Sequence, residues 1–220
     1  AISSSMSRSV RAVSPPGGDF SEPVTSHTKE IVQTFWALSK QLADARHYPA
    51  VDWTDSFSGY VNAAAKWWHE TVDPRWSERR SEALGLLAQA DELSRIVNLV
   101  GPEALSPAQR WALESAALLK EAVLQQSALD DVDSFCSPQK QFLLLDLVLD
   151  IHRQGRELLD IGVPVQQLLG LPILSRARRL KSSYTSQQLE QLKAVRTEIH
   201  DAFAGLHTEY GKPGGAGARG

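Results

Sequence analysis

Apolar positions recur at helical spacing along most of this chain. Ile31, Val32, Phe35, Leu38, Leu42 and Ala45 return every three to four residues, which predicts a helix over 28–46. His47-Tyr48-Pro49 ends it, because the residue before a proline is biased out of the helical region. From residue 52 the aromatics Trp53, Phe57, Tyr60, Trp67 and Trp68 crowd together, and the expectation is a core packed around a helix rather than a cage for a ligand.

From residue 81 the pattern sharpens. Leu86, Leu87, Ala90, Leu93, Val97 and Val100 form one stripe, with Gly101 where a helix should end. Ser106-Pro107 opens the next helix, a capping residue followed by proline at the first helical position. The two helices therefore fold back as an αα-hairpin whose tip, 101–106, is expected to face solvent. Further helices are predicted over 138–159 and 186–206, the second from Leu189, Leu192, Val195, Ile199, Ala202 and Leu206. The linker between them holds Pro164, Gly170 and Pro172 around a short helical piece at 165–169. Near the start, Val10-Arg11-Ala12-Val13 is at most a short strand. No paired sheet is expected beyond residue 53, so the predicted fold is mainly α, a helical bundle over 53–207 preceded by the end of another domain.

Composition narrows the function classes. A hydrophobic content of 42% supports an ordinary folded core, and 23 basic against 26 acidic residues give no broad positive field for nucleic acid or an anionic membrane. The longest apolar stretch, 142–151, is interrupted by Asp146 and Asp150 and is shorter than the roughly 20 residues of a spanning helix. Residues 1–11 are serine-rich without the apolar run of a signal peptide, and the single Cys136 permits neither an internal disulfide nor a multi-cysteine zinc site. A cytoplasmic protein is expected.

No catalytic set is complete. A phosphate cradle needs a glycine-rich loop followed by lysine and a hydroxyl residue, and Gly211-Lys212 is followed by Pro213 instead. The six histidines never fall at the i, i+4 spacing that puts two imidazoles on one metal, and His69-Glu70 lacks a second histidine at position 73. Asp130, Asp131 and Asp133 read as a solvated loop capping the next helix, and Cys136 has no adjacent base in sequence.

Residues 14–25, Ser-Pro-Pro-Gly-Gly-Asp-Phe-Ser-Glu-Pro-Val-Thr, resemble a signature of the catalytic A subunits of vacuolar and archaeal-type rotary ATPases. The resemblance continues through Thr34-Phe35-Trp36-Ala37-Leu38, Arg46-His47-Tyr48-Pro49-Ala50-Val51-Asp52-Trp53, Ile96-Val97-Asn98-Leu99-Val100-Gly101, Leu124-Gln125-Gln126 and Val132-Asp133-Ser134-Phe135-Cys136. It implies that residues 1–52 are the last strand-turn-helix remnant of a RecA-like α/β nucleotide-binding domain, 53–207 the C-terminal helical domain and 208–220 a flexible tail. The family's phosphate loop, catalytic glutamate and magnesium ligands then lie upstream of Ala1, so ATP or ADP with magnesium belongs to the complete complex and the isolated chain is expected to be silent. Serine-rich 3–9 departs from the family's hydrophobic strand there, which suggests a fragment or truncated gene.

The same resemblance assigns roles by position. Adenine would sit near 124–136, with faces from Ala128, Leu129 and Phe135, rim amides from Gln125 and Gln126, and Cys136 close by; Leu129 stands where the family usually has an aromatic residue. The tip Gly101, Pro102, Glu103, Ala104, Leu105 and Ser106 would touch the central rotor. Implied partners are the noncatalytic B subunit and the central stalk, with the membrane reached only through the complex that couples ATP turnover to proton or sodium transport. The alternative is a helical interaction module descended from that protein, without a nucleotide role.

Overall fold

The computed structural model describes residues 12–14 and 21–211. Most of the signature turn and of the expected strand at 10–13, and the tail from residue 212, lie outside the described residues; residues 12–14 have no regular secondary structure.

Helix α1, Pro23–Ile31, is capped by Glu22, whose carboxylate accepts the Thr25 N–H at 3.2 Å. The chain then departs from the expected helix over 28–46. Strand β1, Thr34–Leu38, buries Phe35 and Ala37 and exposes Thr34, Trp36 and Leu38. The short helix α2, Lys40–Asp44, follows a Ser39 cap, and β2, Val51–Ser58, returns antiparallel to β1. The register pairs Thr34 with Ser58, Phe35 with Phe57, Ala37 with Asp52 and Leu38 with Val51, and is broken by a bulge between Phe35 and Ala37.

A paired sheet therefore runs past residue 53, against expectation. The reason is that Phe35-Trp36-Ala37-Leu38 is apolar throughout and fits either period, so the partner strand decides. Phe35 stacks on Phe57 with ring centroids 6.1 Å apart, and the Ala37 N–H donates to Ser56 Oγ at 3.0 Å. Trp53 and Phe57 accordingly belong to β2, whereas Trp67 and Trp68 lie on α3, Val61–Thr71.

The bundle is built from α4, Trp76–Val100, α5, Pro107–Leu119, α6, Pro138–Asp160, and α10, Leu189–Tyr210, with α7, Val165–Leu169, α8, Pro172–Ala177, and α9, Leu180–Ser183, in the last connection. Helices α4, α5, α6, α7 and α10 match the predicted ones, except that α4 starts earlier than residue 81 and α10 starts later than 186 and runs to Tyr210; α8 and α9 are not among those predicted. Helix α5 lies in the core, with Trp111, Leu118 and Leu119 at 0% exposure. Trp111 Nε1 donates to the His152 carbonyl at 2.9 Å, Phe203 meets its ring edge-on, and Gly155 lies so close that a Cβ there would stand 2.2 Å from the indole.

Asp146 of α6 is 1% exposed and takes three guanidinium groups: Arg79 Nε at 2.8 Å, Arg75 Nη2 at 3.1 Å and Arg196 Nη2 at 2.7 Å. One buried carboxylate thus ties α4, the turn before it and α10 to α6, its desolvation offset by several charge-assisted bonds.

Candidate functional site

Local chemistry shapes the hairpin tip. Gly101 ends α4 at φ 87°, a conformation that residues with a Cβ rarely adopt. Pro102–Ala104 then form one 3-10 turn, and Leu105, 5% exposed, plugs the space beneath it. Ser106 and Gln109 complete a capping box: the Gln109 N–H donates to Ser106 Oγ at 3.3 Å, and the Ser106 N–H to Gln109 Oε1 at 2.8 Å. Pro102, Glu103, Ala104 and Ser106 are exposed, as expected for a tip, whereas Leu105 faces inward. Val100, read as part of the buried stripe, is exposed together with Leu99, because the last turn of α4 stands clear of the bundle.

The connection at the other end of α5 is held from a distance. Helix α5 runs into a π-helical turn, Lys120–Leu124, closed by the Gln125 N–H on the Lys120 carbonyl at 2.8 Å. The Gln126 N–H donates to the Tyr48 carbonyl at 2.7 Å and Gln125 Nε2 to the Arg46 carbonyl at 3.3 Å, so the loop is tied to the segment before β2. Gln126 Nε2 reaches the Asp133 carbonyl at 2.8 Å, and Asp133 Oδ2 accepts the Ser127 N–H at 2.7 Å. Lys181 of α9 donates to the Gln125 carbonyl at 2.5 Å and stands 3.6 Å from Asp133 Oδ2. Fully buried Lys140 in turn donates to the Lys181 carbonyl at 2.7 Å. Asp130 Oδ1 accepts the N–H groups of Val132 and Asp133, so this acidic pair organises the loop.

Gln125 and Gln126 line a cleft of about 350 Å³ together with Arg46, Tyr48, Asp130 and Lys181. Ala128, Leu129 and Phe135 are not among its walls; they lie outward on the same loop, Leu129 97% and Phe135 69% exposed. Cys136 is half-buried with Sγ 3.8 Å from the Ser137 carbonyl, and burial pushes its thiol pKa up. Sequence reasoning missed Arg46, Tyr48 and Lys181. The first two contribute main-chain carbonyls, which leave no side-chain pattern, and Lys181 lies far along the chain. His47 next to them is 8% exposed and edge-on to Trp53 at 5.7 Å; burial, then Lys181 and Lys120, lower its pKa.

The loop thus leaves apolar side chains uncovered beside a polar cleft. Among the described residues no three His, Cys, Asp or Glu side chains converge on a metal position. No helix among the described residues is long and apolar enough to cross a membrane.

The chain is thus a helical bundle entered through a strand pair, with a capped hairpin at one end of α5 and a tethered loop at the other. The family model for the C-terminal domain of V and A type ATP synthase matches residues 65–167, and that for the nucleotide-binding domain of the ATP synthase alpha/beta family matches residues 5–58. The V-type ATP synthase alpha chain of Nitrosococcus oceani is 66% identical over 205 residues, covering 93% of this chain and 35% of the relative. The A subunit of the A-type ATP synthase of Ignicoccus hospitalis is 47% identical over 197 residues, covering 89% and 33%. Among solved structures, the ATP synthase subunit NeqB from Nanoarcheaum equitans shares the fold at TM-score 0.51 and 22% identity, over 63% of this chain and 34% of that one. The chain belongs to the family of A (alpha) subunits of V- and A-type ATP synthases and corresponds to their C-terminal portion. It spans about one third of the length of these curated relatives.

Proposed function

We propose that this chain is the part of a catalytic A subunit that covers the adenine end of the nucleotide site and bears on a central shaft, in a ring shared with noncatalytic B subunits. In that assembly it couples ATP hydrolysis or synthesis to proton or sodium movement, on the cytoplasmic side of a membrane reached only through the complex. The observation that carries the reading is that loop and tip are the two ends of one buried helix, α5 with its π-helical turn. Residues 46–48 fall in the segment matched by the nucleotide-binding family, and the carbonyls of Arg46 and Tyr48 hold the Gln125 side chain and the Gln126 N–H. A displacement of that segment passes to the loop, along α5 and into the tip. Trp111, Leu118 and Leu119 lock the helix in the core, so it moves as a bar instead of bending.

We take both strands of the β1–β2 pair with the nucleotide-binding part and set the junction after Ser58 instead of at 52/53, a reading supported by the strand pairing and by the family match over 5–58. The helical domain then runs to the end of α10, and the tail follows Tyr210. Phosphoryl transfer to water needs donors around the terminal phosphate and a magnesium ion, and we assign both to the part of the curated relatives that this chain does not span. Within this chain Gln125 and Gln126 edge the base site, Ala128, Leu129 and Phe135 supply apolar faces, and Cys136 lies behind them. The chain by itself turns over no ATP. An azido-adenine ATP photoprobe applied to a full-length protein carrying this segment, in the assembled complex, should label residues 125–136. Labelling confined to the rest of that protein contradicts the reading.

A further inference from the structure

A second cleft, of about 440 Å³, opens beside the hairpin tip, between α5 and the turn that follows α6. Its apolar walls come from Leu105 under the tip, Leu159 near the end of α6, and Val163 and Val165 at the approach to α7. Leu105, Val163 and Val165 are each at most 5% exposed, so they form a fixed floor and not a mobile fringe. One full charge stands among them. Arg110, in the first turns of α5, has its Nε buried with no hydrogen-bond partner among the described residues, and no carboxylate of the described residues pairs with its guanidinium. Glu114, one turn further along α5, is taken by Arg178.

Arg46, Arg80, Arg95, Arg156 and Arg179 also lack a carboxylate partner among the described residues, but Arg110 is the arginine among them with a buried, unbonded guanidinium nitrogen, and that makes it informative. Arg75, Arg79 and Arg196 meet Asp146, Arg153 meets Asp150, and Arg176 meets Glu198. A half-buried guanidinium with an N–H left unbonded is costly, and an acceptor brought to the cleft by a partner would offset that cost. A free hydrated anion would gain nothing from the aliphatic walls, whereas a carboxylate carried between aliphatic neighbours satisfies the charge and covers the floor together.

We propose that this cleft receives an acidic side chain flanked by aliphatic residues on the shaft protein, with Arg110 as its counter-ion. The proposal rests on the reading of the tip as a shaft contact and adds the chemistry of the partner. It also explains how a tip carrying the single acid Glu103 gains specificity: the exposed aliphatic turn at Leu99 and Val100 gives area, and Arg110 fixes register.

The test is equilibrium binding between this chain and the shaft protein of its own complex. Arg110→Gln should weaken binding about 10-fold or more, Arg110→Lys less, and Gln166→Glu, which brings a competing carboxylate into the cleft, about as much as Arg110→Gln. Glu103→Ala, outside the cleft, should change it less than about 2-fold. Thermal unfolding of Arg110→Gln should match that of the unmodified chain, since the guanidinium has no partner within it. If the unmodified chain binds and neither Arg110→Gln nor Gln166→Glu weakens it, the cleft proposal is overturned while the tip reading stands. If the unmodified chain does not bind the shaft, the tip reading fails and the cleft proposal with it. Self-association that disappears with Arg110→Gln would make the occupant a second copy and equally overturn the assignment.

Discussion

The two connections at the ends of α5 are built in opposite ways. The tip at 101–106 takes its shape from its own residues: a glycine with positive φ, a 3-10 turn, a buried leucine and a reciprocal cap. The loop at 125–136 is organised within by Asp130 and Asp133 but takes its position from residues far along the chain, through the carbonyls of Arg46 and Tyr48 and the ammonium of Lys181. A locally determined element keeps its geometry wherever its helix carries it, while a remotely determined one follows its neighbours. In the proposed function this difference lets one end follow a displacement and the other deliver it.

The comparison breaks down if α5 is not a common support, and the largest expected effect tests that. Gly155→Ala drives a methyl group into the Trp111 ring and should cost about 3–4 kcal/mol in urea unfolding, with hydrogen exchange rising at both ends of α5. Loss confined to one end contradicts the shared support. Next in size is pH. His152 is buried behind the same tryptophan, its Nδ1 without a partner among the described residues, and burial, then Arg156 and Arg153, lower its pKa from 6.5 to about 4. The unfolded chain therefore binds a proton that the folded chain refuses. The contribution of His152 to stability is complete above pH 6.5 and declines as pH falls from 6.5 toward 4, by at most about 3 kcal/mol. Denaturation midpoints measured across that range should show the decline, and His152→Gln should flatten it.

The smaller effects sharpen the distinction between the ends. Lys181→Met removes the donor to Gln125 and the partner of Asp133, so exchange at Gln125 and Ser127 should accelerate about 10-fold or more, with the tip unchanged. Ser106→Ala should do the reverse, costing about 1 kcal/mol and loosening only the first turn of α5. Either substitution loosening both ends equally would erase the distinction.

The same division governs what the sequence made legible. Elements with local causes were readable: the Ser106-Pro107 start, the Gly101 stop, the α6 start at residue 138 and the short α7 all follow from caps, prolines and helical spacing. The strand pair was not, because Phe35 to Leu38 is apolar at every position and only Phe57 and Ser56 across the sheet select the strand period. At the candidate site the loop was identified by resemblance and two of its glutamines do line a cleft. Its arrangement was hidden, since it depends on two carbonyls with no side-chain signature and a lysine on α9. The unpaired state of Arg110 was hidden too, because the absence of a partner is a property of the packed molecule.

In the proposed mechanism force passes through the packed hairpin and not through its charge. The decisive experiment uses the assembled complex, built with a full-length protein carrying this segment, and follows ATP hydrolysis and ion transport side by side. Flexible glycines inserted within 101–106 should leave hydrolysis running while transport falls, because the base-facing loop lies at the far end of α5. Glu103→Ala should change either rate little, one exposed charge being worth on the order of 1 kcal/mol or less. Coupling abolished by Glu103→Ala and untouched by the insertion would overturn this mechanism and put a specific charge contact in its place.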